Sequence, residues 1–418
     1  MDFRLFLPLT VTVIGGFLLI KLRFFFLFHP IRTAREFIRE LSDRGSRRAF
    51  FLALAGTLGV GNIFGVATGI MIGGPGSLFW LLVSSIFAMI IKYAETLLVF
   101  DSGIERGGSA AVIQKVFCKS GKTLSWIYAL LTLLLALTMG SAMQSAALTD
   151  VAEKSLGLSP IISAFILLIF LIPAFVGGGR KIENITEFII PLTTIIYIIM
   201  CFATILLNFD RLANVTKDIF SSAFTPKSAI GGISIVAIRE GFARGILSNE
   251  AGVGTSAMAH IRSGDRSPHI AGLFAMGEVV FDSLLLCMLT GLSILVAVPD
   301  ISTFDSPMSL VNSAFKSTLG DFSGYILTFL ILSFAYATII CWYYYGSECV
   351  KLYFHKIGST YSIFFVISIV FPAFFPSSIL IYAIDFILLF MSFIILSAIV
   401  KCNSRIAEIC RLNRKNPE

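Results

Sequence analysis

Of 418 residues, 56% are hydrophobic and only 14% are charged, well below the roughly 25% charged residues of soluble domains, so a water-soluble globular protein is excluded. The formal charge is +7, but the basic residues sit in short segments between apolar runs, where they orient helices in a bilayer rather than bind nucleic acid. Long charge-free stretches recur from end to end and predict a single all-α membrane domain over residues 1–418.

A spanning helix needs about 20 apolar residues at ~1.5 Å rise each, and eleven segments meet or approach this length. The first, 5–28, reads as a retained extra N-terminal helix, because no small-residue cleavage site follows it and Arg-rich sequence does. Next, 49–91 holds no charged residue. At helical rise it would extend about 65 Å, twice a bilayer core, so it must turn back on itself. Gly73-Gly74-Pro75-Gly76 is the natural corner. Further spans are expected at 123–149, 158–176, 187–208, 233–260, 270–298, 322–347, 357–370 and 379–400, with a turn from Phe371-Pro372 to Phe375-Pro376 before the last.

Eleven spans place the termini on opposite sides. The segment with Arg32, Arg35, Arg39, Arg44, Arg47 and Arg48 should be cytoplasmic, leaving the N-terminus outside. Every second loop is then basic: Arg106 with Lys115, Arg180 with Lys181, Arg262 with Arg266, Lys351 with Lys356, and the cytoplasmic tail 401–418. Arg211, Lys217 and Lys227 form an external exception. Seven cysteines show no paired or metal-like spacing, and His29, His260, His269 and His355 stand apart, reading as surface histidines. Neither a resident metal nor a cofactor is expected.

The second span carries Gly56-Thr57-Leu58-Gly59-Val60-Gly61-Asn62 and then Gly65 within its apolar run. Gly costs about 1 kcal/mol relative to Ala inside a helix, and backbone groups freed in lipid must find partners, so such a break lines a cavity or permits close helix packing. A second break runs from Arg244 through Ser248-Asn249-Glu250-Ala251-Gly252-Val253-Gly254 to Thr255. If the first span is peripheral, the two broken helices lie five spans apart, which suggests inverted five-helix repeats over 49–208 and 227–400. At a break, amides opening a half-helix can hold a carboxylate and exposed carbonyls a cation.

At these residues the chain resembles the alanine or glycine:cation symporters, a group with the LeuT-like 5+5 inverted-repeat fold. The resemblance rests on Gly59 to Thr68, Gly73 to Gly76, Ala243 to Gly254, Phe281-Asp282-Ser283-Leu284, Phe334 to Thr338 and Trp342 to Gly346. It implies Na⁺-coupled, or sometimes H⁺-coupled, symport of a small neutral amino acid such as alanine or glycine by alternating access across the cell membrane. The substrate pocket it implies comprises Gly59, Gly61, Asn62, Gln144, Leu247, Gly252, Thr338 and Trp342, and the cation site Gly56, Gly59 and Thr338. Three departures bear on the solute. The usual Gly-Asn-Met-Val-Gln-Ala-Asn reads Gly140-Ser141-Ala142-Met143-Gln144-Ser145-Ala146, a usual Phe is Leu247, and a usual Gly-Pro-Met-Tyr-Tyr is Gly108-Ser109-Ala110-Ala111-Val112.

Gln144 can alternatively tie two helices, and Trp342 can anchor at the interface. Asp282, Glu250, Glu95 and Asp385 lie in or near apolar segments, where ionisable groups are expensive and often functional. Glu250 is expected to pair with Arg244 or Arg239. No nucleophile with a base, phosphate loop or convergent carboxylate pair points to an enzyme. A carrier of another small solute, or a non-transporting membrane sensor on the same scaffold, are the rival readings.

Overall fold

The protein is described by a computed structural model covering residues 6–104, 106–224, 235–264, 267–354, 358–373 and 377–415. Lipid offers no partner for backbone N–H and C=O groups, so a spanning chain closes its hydrogen bonds within helices. The described residues accordingly contain helices and no strand. In chain order α1 (Phe6–Lys21), α2 (Phe25–Phe28) and α3 (Pro30–Leu41) lead into α4 (Arg44–Thr57), a π-helical turn (Gly61–Gly65) and α5 (Val66–Gly73). Then come α6 (Gly76–Asp101), α7 (Gly108–Val116), α8 (Cys118–Leu137), α9 (Met143–Leu156), α10 (Pro160–Leu207) and α11 (Phe209–Phe224). The second half comprises α12 (Ile235–Asn249), α13 (Ala257–His260), α14 (Pro268–Val279), α15 (Met288–Ala297), α16 (Pro307–Leu319), α17 (Phe322–Tyr353), α18 (Gly358–Val370), α19 (Ser377–Lys401) and α20 (Asn403–Lys415).

Among the described residues six helical stretches are long and apolar enough to cross a membrane, with α8 and α9 joined as Cys118–Lys154 and α14 and α15 as Pro268–Ala297, and the bent pair Arg44–Thr57 and Gly61–Gly73 makes a seventh; this is a multi-pass membrane protein. The spans expected at 158–176 and 187–208 are the two helices of α10, which meet at a kink where Gly178 leaves the helical region (φ 63°, ψ −167°). Arg180 and Lys181 stand just past this corner, in the first turn of its second helix. Leu5, Lys227, Arg266, His355, Lys356 and the Phe375-Pro376 turn lie outside the described residues.

Between helices in lipid there is little hydrophobic drive, and close van der Waals packing through small residues takes its place. The seam of α6 with α12 shows this. A Cβ at Gly241 would lie 2.4 Å from the Ser77 carbonyl oxygen, and one at Gly245 would strike the Ser84 hydroxyl. α14 packs on the other side of α6, while α4 packs against α10 and α17. Charged ties hold the ends: Glu187 of α10 accepts from Arg48 at 2.7 Å and pairs with Arg47 at 3.2 Å, and Asp101 pairs with Arg405 of α20 at 2.7 Å. The reversal after α5 is the expected one, with Gly74 at φ 71° closing α5 and Gly76 opening α6.

Candidate binding site at the helix breaks

The first break is built by three residues without a continuous helical ladder. α4 ends at Thr57, the chain turns through Leu58 to Val60, and a half-helix restarts at Gly61 with a bend of 51°. The groups released by this turn are taken up by side chains of other helices. Thr338 of α17 donates to the Leu58 carbonyl at 3.1 Å, and Trp342 Nε1 donates to the Gly56 carbonyl at 3.2 Å. The Val60 amide donates to Gln144 Oε1 at 3.2 Å, and the Gly59 amide to Asn62 Oδ1 at 3.2 Å. Five of the residues expected at the site, Gly56, Gly59, Gln144, Thr338 and Trp342, thus meet at one point. Each carbonyl keeps a second lone pair, so the group retains oxygen ligands for a cation.

Space here is distributed unevenly. A Cβ at Gly59 would lie 2.9 Å from Gln144 Oε1 and 3.2 Å from Thr338 Oγ1, whereas one at Gly61 has nothing within 4 Å. Gly61 therefore faces open room at the positive end of its half-helix, where the dipole favours a carboxylate. Trp342 is fully buried and packs its ring against Gly140, where a Cβ would lie 2.2 Å from Trp342 Cγ. It is no interface anchor.

Asn62 does more than line the break. Its amide nitrogen donates to the Asp282 carboxylate, which also accepts from Ser248 Oγ at 2.9 Å and Ser283 Oγ at 2.6 Å. Asp282 sits in the π-helical turn Val280–Cys287, so one buried carboxylate ties the first break to the end of α12. Leu247, half-buried, precedes Ser248 on the same helix.

Gly252 lies apart from this group. Its nearest neighbours for a Cβ are Leu396 and Val11, and its amide donates to Glu95 Oε2 at 3.1 Å. Ser141 also turns away, accepting from Ser368 of α18 at 2.8 Å, so that departure from the family pattern does not face the break. Arg244 and Arg239 pair with Glu240 rather than Glu250, whose carboxylate takes the Thr255 hydroxyl at 2.7 Å instead.

Two histidines expected on the surface are buried: His260 bonds Glu278, and His269 Nδ1 lies 2.7 Å from Tyr93 Oη. His260 belongs to a network that sequence reasoning missed. Lys92, fully buried, donates to Ser256 at 2.8 Å and Glu278 at 3.2 Å. The signal was available, since Lys92 and Glu95 interrupt an apolar helix three residues apart and so share one face. Among the described residues no metal-binding group of His, Cys, Asp or Glu occurs.

One cavity of about 280 Å³ opens beside Met258 and Tyr344, rimmed by Arg106, Arg262, Glu348 and Lys351. The space between α5, α6 and α12, around Gly69, Ser77 and Arg244, amounts to only about 10 Å³.

The architecture recurs in solved membrane transporters. A manganese transporter of Eremococcus coleocola superposes with a TM-score of 0.58 at 14% identity, covering 87% of this chain and 77% of its own. A Na⁺-coupled sialic acid symporter gives 0.56 at 11% identity, over 97% and 83%. The chain thus shares the helical fold of these two transporters. Residues 3–415 match the sodium:alanine symporter family, and the chain belongs to it. The sodium/alanine symporter AgcS of Methanococcus maripaludis is 32% identical over 72% of this chain and 69% of its own length. The protein is accordingly a cation-coupled amino-acid symporter of the membrane, not an enzyme.

Proposed function

We propose that the protein carries a small neutral amino acid, alanine or glycine foremost, inward across the cell membrane with Na⁺. The observation that carries this reading is the open position at Gly61. It sits at the start of a half-helix whose dipole suits the substrate carboxylate, one residue from an amide held by Gln144. A small side chain fits because Trp342 and Thr338 already occupy the flank of the break. Na⁺ takes carbonyl and hydroxyl oxygens of Gly56, Gly59 and Thr338. Proton coupling is the alternative use of the same scaffold, and another small solute is the second reading, favoured by the aliphatic Leu247.

In this reading the chain has eleven spans, an extra N-terminal helix followed by two inverted repeats, with α4–α5 and α12–α13 equivalent. The N-terminus lies outside and the tail from 401 in the cytoplasm. The cavity rimmed by Arg106, Arg262 and Lys351 is then cytoplasmic, and the tight packing around Gly69 and Arg244 is the closed external gate. One Na⁺ moving with a neutral zwitterion gains about 2.3 kcal/mol per 100 mV and about 1.4 from a tenfold gradient. Together these sustain roughly 500-fold accumulation without nucleotide.

The test is uptake of radiolabelled alanine, glycine and serine into proteoliposomes under Na⁺, K⁺ or H⁺ gradients. Saturable uptake with Na⁺ and one of these substrates is expected. No uptake of any of them under any gradient overturns the proposal.

A further inference from the structure

The second break is bracketed by two carboxylates with no role in the site at Gly59 to Asn62. Glu95 reaches it from α6, Oε2 accepting the Gly252 amide at 3.1 Å. Glu250 opens it, its backbone at φ 55° and Oε2 accepting from Thr255 at 2.7 Å. The other oxygen of each, Glu95 Oε1 and Glu250 Oε1, is buried with no hydrogen-bond partner. Both residues are almost wholly inaccessible, at 2% and 1%.

The surrounding charges do not balance them. Lys92 donates to Glu278 at 3.2 Å and stands 3.9 Å from Glu95 Oε1. Glu278 is saturated, bonded through one oxygen to Lys92 and through the other to His260 of α13. Asp282 is saturated by Asn62, Ser248 and Ser283. From α17, Cys341 and Tyr345 neighbour Glu250, and from α8 Tyr128 neighbours Glu95, and a thiol or phenol brings no positive charge. Two orphaned carboxylate oxygens in a dry interior are costly unless something positive occupies them. A metal cation at Glu95 would meet the Lys92 ammonium, while a proton converts an orphaned acceptor into a hydroxyl that donates.

We propose that Glu95 and Glu250 form a proton-binding site on the second helix break, separate from the Na⁺ and amino-acid site on the first. Glu95 fastens the amide of Gly252 and Glu250 the hydroxyl of Thr255, so a proton arriving or leaving changes how the break is held. A void of about 10 Å³ beside Glu95, between α6, α7 and α19, has room for one water and gives the proton a foothold. As a device of the transport cycle the site rests on the symport reading; as a site it does not.

The experiment keeps these apart. Infrared spectra of the purified full-length protein in nanodiscs, recorded from pH 5 to 9, are compared for wild type, Glu95→Gln and Glu250→Gln. The expected result is a carbonyl band of buried protonated carboxylic acid that declines as pH rises, reduced in each variant and lost in the pair. A band absent at every pH, or unchanged in both variants, overturns the site. Loss of the band on adding Na⁺ at fixed pH also overturns it, because the occupant is then a metal ion. Should a Gln variant fail to fold by size-exclusion chromatography, Glu95→Asp and Glu250→Asp are read instead, with a shifted midpoint expected. In proteoliposomes, Glu250→Gln should flatten the pH profile of initial uptake between pH 6 and 8; an unaltered profile overturns the role in transport. Wild-type vesicles that take up no amino acid while the band is present sink the symport reading and leave the site standing.

Discussion

Adding one methyl group at either of two glycines, two residues apart, separates a structural role from a lining role. At Gly59 the new Cβ would lie 2.9 Å from Gln144 Oε1, 3.2 Å from Gln144 Nε2 and 3.2 Å from Thr338 Oγ1. Something must give, and the amide of Gln144 is the group able to move. Its withdrawal leaves the buried Val60 N–H unpaired, which costs about 1–3 kcal/mol. This cost falls on the folded state and should lower the unfolding temperature. At Gly61 the same methyl meets open space and a helical backbone, so the fold should hold or gain up to about 1 kcal/mol. Only the substrate would feel it, through a raised KM. The assay pairs thermal unfolding of both purified variants with concentration-dependent uptake. Gly59→Ala should melt earlier than Gly61→Ala and lose maximal rate, and Gly61→Ala should raise KM without losing stability. A Gly61→Ala protein less stable than Gly59→Ala refutes the placement of the cavity.

Three other outcomes follow from the same geometry. Trp342→Phe keeps the ring packed against Gly140 but removes the donor to the Gly56 carbonyl, and should cost about 1–3 kcal/mol by thermal unfolding, whereas Gly140→Ala, with Trp342 Cγ 2.2 Å from the added carbon, should prevent folding. Asn62→Asp sets a second carboxylate against buried Asp282 and should destabilise by several kcal/mol more than Asn62→Ala, which lower pH should partly rescue. Glu187→Gln should weaken the tie of α10 to Arg47 and Arg48 by about 1–2 kcal/mol in low salt, with a smaller effect in high salt.

The breaks were legible because glycine and asparagine in an apolar run contradict helix formation in lipid, and four of the seven residues from Gly56 to Asn62 are one or the other. The corner at Gly73 to Gly76 was legible for a similar reason, since only a reversal accommodates so long an uncharged stretch. The corner at Gly178 was legible too, because three consecutive glycines, Gly177 to Gly179, followed by a basic pair interrupt the apolar run, and the structure puts Gly178 at φ 63° there. The buried network was legible only in part. Lys92 and Glu95 mark one face of a helix, but that Glu278 and His260 join them follows from α6, α13 and α14 packing together. The same packing gives Gly252 to Glu95 rather than to the first break, a partition that spacing along one helix does not encode.

The bend of 51° divides the first broken helix into pieces of 14 and 13 residues. At ~1.5 Å per residue each piece is about 20 Å long, and a hydrocarbon core is about 30 Å thick. Neither piece can cross alone, so their junction is held near mid-depth whichever way the pieces tilt. Solute waiting there is about equally far from both aqueous phases. Direction is then set by the gradients outside the protein, and a carrier built around such a midpoint must run backward when they reverse.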